Sequence, residues 1–66
     1  MKYEIIVDYD IPAAADYYSI VDIHYPHPPY FETVAECFTE EDAELVCKAL
    51  NLMNNGIAVA QYHKYE

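Results

Sequence analysis

Along residues 2–9, KYEIIVDY, apolar and polar positions alternate. Tyr3, Ile5, Val7 and Tyr9 share one side, while Lys2, Glu4 and Asp8 share the other with Ile6. That is the period of a strand with one buried face. Residues 18–25, YSIVDIHY, resume the pattern with Val21, Ile23 and Tyr25 together. PHPP at 26–29 interrupts it, because proline has no N–H to give a ladder. YFETVAECF follows, with Phe31, Thr33, Ala35 and Cys37 on one face and Glu32, Val34, Glu36 and Phe38 on the other. The pattern predicts a hairpin with a rigid, proline-rich tip. Between the first two strands, DIPAAAD is compatible with a loop or with a single helical turn begun by Pro12.

At Thr39 the period changes to that of a helix. Thr39 is a good N-cap, with Asp42 three residues on as a short version of the capping box. Glu40 and Glu41 occupy the first turn, where the helix dipole favours negative charge. Ala43, Val46, Cys47, Leu50 and Met53 form an apolar stripe, broadened by Leu45, Ala49 and Leu52. Glu44 and Lys48 are spaced for an i,i+4 ion pair. Asn54, Asn55 and Gly56 close the helix, Gly56 as its left-handed cap. IAVAQYHKY, residues 57–65, reads as a last strand. The elements predict an α+β fold: a mostly antiparallel sheet of about four strands, in the order β-β-β-α-β, with one helix on one face. Residues 1–66 make a single small domain.

Composition then narrows the chemistry. A chain of 66 residues is near the lower limit for folding without metal or disulfide support. Its 55% apolar content, with eight Tyr and two Phe, is enough to form a core and argues against disorder. Twelve acidic residues against three lysines give a formal charge of -9. Such a chain repels nucleic acid and anionic membranes and suits a basic partner. No apolar run is long enough to span a bilayer and the first residues lack a secretory signal, so a cytoplasmic location is expected. Cys37 and Cys47 then read as reduced, buried small hydrophobes.

Enzymatic and cofactor chemistry find no support in the sequence. The one glycine is used as a helix cap, which excludes a phosphate-cradling loop. Ser19 is the only serine and lies in a strand, and neither cysteine has an activating context. His24, His27 and His63 show no metal-ligand spacing. PHPP matches the spacing of a polyproline ligand, but a hairpin tip explains the same prolines. No catalytic residue, cofactor or metal is expected.

The acidic surface remains. Glu4, Asp8, Asp22, Glu32 and Glu36 fall on the non-core side of the three strands, and Asp10 and Asp16 extend that surface in the first connection. Glu40, Glu41, Asp42 and Glu44 add an edge at the helix start. A solubilising surface usually mixes lysine with glutamate, and here lysine is scarce. Tyr18, Tyr25, Tyr30 and Tyr62 exceed what so small a core can hide, and exposed tyrosine suits a protein contact. Tyr18 and Tyr30 therefore join the carboxylates as candidate partner-binding residues.

From Thr33 onward, TVAECFTEEDAELVCKALN resembles small proteins of bacteriophages and mobile elements that pair such a strand with such a helix. The resemblance covers about half of the chain. It implies a phage context, in which small, strongly acidic, non-enzymatic proteins resemble anti-defence inhibitors, including anti-CRISPR proteins of the DNA-mimic type. The expected partner is a basic nucleic-acid-binding protein, a CRISPR effector subunit most concretely, with the inhibitor a monomer or homodimer. The alternative is a phage accessory domain, homodimeric through an exposed strand, whose acidity serves only solubility.

Overall fold

The computed structural model describes residues 1–24 and 31–64. Three strands and a helix form: β1 (Tyr3–Asp10), β2 (Ala15–Asp22), β3 (Glu32–Cys37) and α1 (Glu40–Asn55). The strands lie in the order β1-β2-β3, each antiparallel to its neighbour, and α1 packs on one face against all three. The fold is α+β, as the alternation predicts.

The β1–β2 connection is a turn. Asp10 pairs with Ala15, leaving Ile11–Ala14 as the loop. Pro12 takes the second position, which its fixed φ suits. The Ala14 N–H donates to the Ile11 carbonyl at 3.2 Å, and Asp10 Oδ1 accepts from the Ala13 N–H at 3.4 Å. Ala14 holds a left-handed φ of 52°. Ala15 and Asp16 thereby join β2, which begins and ends three residues earlier than the pattern predicts. It stops where Asp22 Oδ1 accepts the His24 N–H at 2.9 Å, a local bond that competes with the ladder. The proline-rich tip lies outside the described residues, as do Tyr25, His27 and Tyr30.

Ile5, Ile20, Cys37, Ala43 and Cys47 are the buried core, with Tyr3, Tyr18, Val46, Leu50 and Tyr62 among the side chains packed around it. Burying each isoleucine contributes roughly 1.5–3 kcal/mol. Both cysteines are free, and burial is the main cause that pushes each thiol above its usual pKa. The helix ends form as the sequence predicts. Thr39 Oγ1 accepts the Asp42 N–H at 3.2 Å, and Gly56, at φ 78°, donates its N–H to the Leu52 carbonyl at 2.9 Å. The buried stripe is rotated from the expected one, however. Ala43, Cys47 and Asn51 line it at intervals of four, whereas Leu45, Leu52 and Met53 face solvent.

Asn51 also explains why residues 57–64 do not form the expected fourth strand. Its side-chain amide occupies the outer edge of β1: Oδ1 accepts the Tyr3 N–H at 3.0 Å, and Nδ2 donates to the Tyr3 carbonyl at 2.9 Å. Nδ2 also donates to the Val59 carbonyl at 3.0 Å, which ties the last segment down. Only next along the edge does that segment reach β1, as one isolated parallel bridge between Ile5 and Tyr62. There the Ile5 N–H donates to the Gln61 carbonyl at 2.9 Å and the His63 N–H to the Ile5 carbonyl at 2.7 Å.

Candidate functional site

Strand register decides which carboxylates meet. On β1, Glu4, Asp8 and Asp10 point away from the helix, opposite Val21, Tyr17 and Ala15 of β2. On β3, Glu36 lies opposite Ser19 on the same side. Tyr17 sits among these carboxylates. Its hydroxyl is held above its ordinary pKa first by the charge of Asp8, then by burial, then by Glu36 and Asp10. Three carboxylates from two strands thus act on one ring.

The other end of this face is closed. His63 Nδ1 lies 2.8 Å from Glu4 Oε1, and the His63 ring meets that of Phe31 edge-on at 4.9 Å. Val21, opposite Glu4, is only 2% exposed although it faces away from α1. Glu4 is therefore engaged within the molecule, and the acidic field concentrates toward the β1–β2 turn.

Three carboxylates expected on this face are elsewhere. A register shift between Ile20 and Val21 inserts an extra residue in β3, so that Glu32 pairs with Asp22 and Thr33 with Val21. Asp22 also lies opposite Tyr3 and so shares the helix-bearing side, 3.4 Å from Lys2 Nζ. Asp16, opposite Tyr9, is on that side too, at its exposed margin. Tyr18 packs against the core beside the helix, so its ring is not the exposed one the sequence suggests.

At the helix start, Glu41 and Asp42 are exposed. Glu40 and Glu44 are bridged by Tyr62, whose hydroxyl lies 2.9 Å from Glu40 Oε1 and 3.1 Å from Glu44 Oε2. Glu44 thus takes Tyr62 as partner; among the described residues the lysine ion pair is Lys2–Asp22, not Glu44–Lys48. Burial, then hydrogen bonding to the two carboxylates, pushes the Tyr62 hydroxyl far above its ordinary pKa.

No known protein family, curated protein or solved structure matches this chain.

The structure adds residues that the pattern did not single out. Tyr9, Ile11, Pro12, Tyr17 and Phe38 line an open groove of about 350 Å³ with Asp10 and Glu36 between them. Tyr17 was legible only with the true start of β2, since alternation from Ala15 places it beside Asp8. Charge is also divided along the chain. Eleven of the twelve acidic residues precede Leu45, none lies between Leu45 and Tyr65, and two of the three lysines, Lys48 and Lys64, fall there. Beyond Glu44 the outward side of α1 is free of carboxylates, and Leu45, Leu52 and Met53 are exposed there beside Lys48. Among the described residues no group of three metal-ligating side chains occurs, and no helix is long and apolar enough to cross a membrane.

Proposed function

We propose that this protein is a non-enzymatic acidic inhibitor. It binds a basic nucleic-acid-binding protein and occupies its DNA or RNA site, carboxylates standing where phosphates would lie. A CRISPR effector in a bacterial cytoplasm is the most concrete target. The observation that carries this reading is the convergence of Asp8, Asp10 and Glu36 around Tyr17 on the face that α1 leaves uncovered. A duplex places one charge every ~1.7 Å along its axis, so a mimic needs its carboxylates concentrated rather than scattered. Glu40, Glu41 and Asp42 extend the acidic region where β3 hands over to α1.

The test is capture from a lysate containing CRISPR and other defence complexes, followed by washes of rising salt and identification of what is released. The expected result is a nucleic-acid-binding protein held at low salt, released at high salt and displaced by its own DNA or RNA. Retention that ignores both salt and nucleic acid would reject mimicry even if binding were real.

A second reading rests on a different surface. Leu45, Leu52 and Met53 are exposed on α1 beside Lys48, in the region without carboxylates, which fits a homodimeric accessory domain joined helix to helix. The two readings respond oppositely to salt. Screening weakens attraction to a basic partner, but it relieves repulsion between two chains of charge -9 and so favours self-association. Light scattering at low and high salt separates them.

A further inference from the structure

We propose that the groove beside the β1–β2 turn receives a cationic side chain, arginine in particular, from a loop or extended segment of a protein partner. The proposal rests on the acidic-inhibitor reading and names where that contact is concentrated. Tyr17 and Phe38 line the groove together with Asp10 and Glu36, and Tyr9 borders it from the end of β1. Aromatic faces attract cations through their quadrupole, and a guanidinium adds planar stacking and paired N–H donors for a carboxylate. A groove of about 350 Å³ lies within the ~300–1,000 Å³ range of sites that hold small groups.

The surrounding surface points the same way. Phe38 is 77% exposed and Ile11 80%, beside Tyr9, so large apolar groups stand open at one end of a molecule with a small core. Apolar anchors rimmed by charge are the composition of a protein contact. The field that holds a proton on the Tyr17 hydroxyl is negative, which a bound cation would relieve.

Other occupants fit worse. A nucleic acid or any phosphorylated ligand would meet Asp10, Glu36 and Asp8 with its own negative charge. A second copy would bring the same carboxylates against themselves. It has no arginine to offer, and of its three lysines Lys2 is already beside Asp22. A basic protein segment satisfies the rings and the carboxylates together.

The experiment titrates N-acetyl-arginine-methylamide into the isotope-labelled protein at low salt and follows backbone amide shifts by NMR. The neutral analogue N-acetyl-citrulline-methylamide serves as control. The expected result is shifts confined to residues 9–13, 17 and 36–38, with the citrulline compound clearly weaker. F38A and E36Q, both at exposed positions, should each weaken arginine binding by about 3- to 10-fold. N54A, at an exposed position of α1 outside the groove, should leave it unchanged. Dispersed spectra of the free variants establish that they fold. Shifts spread over every carboxylate, or F38A binding as the parent does, would overturn the groove. That result would leave the acidic-inhibitor reading to the salt-wash capture. Conversely, localised arginine binding with no nucleic-acid-binding partner captured would sustain the groove and reject the inhibitor.

Discussion

Asn51 makes four hydrogen bonds from full burial: two with the Tyr3 backbone, one with the Val59 carbonyl and a longer one with Cys47 Sγ at 3.6 Å. An apolar residue of similar size would leave the Tyr3 N–H and two carbonyls without these partners. We expect Asn51→Leu to cost about 2–4 kcal/mol. A core of this size supplies only ~3–5 kcal/mol, so the variant should be largely unfolded on warming. Thermal denaturation by circular dichroism checks this; an unshifted Tm would mean that the edge bonds contribute nothing. Tyr62 gives a prediction in pH. Its hydroxyl is held protonated above an ordinary value of 10.0 by burial and by donation to Glu40 and Glu44. Because the folded pKa is the raised one, this stabilisation is complete below about pH 10 and declines as pH rises toward the folded value. Tyr62→Phe should therefore lose stability at neutral pH and show a shallower alkaline decline than the parent, measured by urea denaturation at pH 7 and pH 11.

At the scale of elements, the β1–β2 turn carries strain that can be removed. A left-handed φ costs an alanine roughly 1–2 kcal/mol, and glycine gives back about 0.4–1 kcal/mol through the unfolded chain. Ala14→Gly should therefore stabilise by about 0.5–1 kcal/mol, seen as a Tm a few degrees higher; a lower Tm would show that the turn does not need that conformation. The same turn shows what sequence can reveal. Thr39 and Gly56 were legible because a cap is a local bond between residues a few places apart. Asp8 and Glu36 were legible by alternation alone. The start of β2 was not, because it depends on whether Ala14 turns left-handed, which an alanine does not signal. Glu32 was misplaced by one inserted residue in β3, a feature set by pairing with β2. Asn51 was hidden by its polarity, although its spacing from Ala43 and Cys47 continues the buried row. The fourth strand was expected from an apolar run whose docking edge is taken by that same asparagine.

The whole molecule measures 36 × 27 × 19 Å and carries a formal charge of -9. Mutual repulsion of those charges opposes compactness, and salt screens it. Tm should therefore rise between roughly 10 and 500 mM sodium chloride, over which the Debye length shrinks from about 30 Å to a few ångströms. A flat profile would mean that local pairs such as Lys2–Asp22 and Glu4–His63 outweigh the net charge. Asp8, Asp10 and Glu36 converge beside the β1–β2 turn, whereas Asp22 lies beside Lys2 and Glu4 beside His63; so uneven a placement gives the molecule an electric dipole as well as a net charge. In the field of a basic surface it turns before it touches, so that productive orientation is partly selected during approach. Moving charge from one end to the other, at constant net charge, would then slow association while leaving the rate of dissociation nearly unchanged.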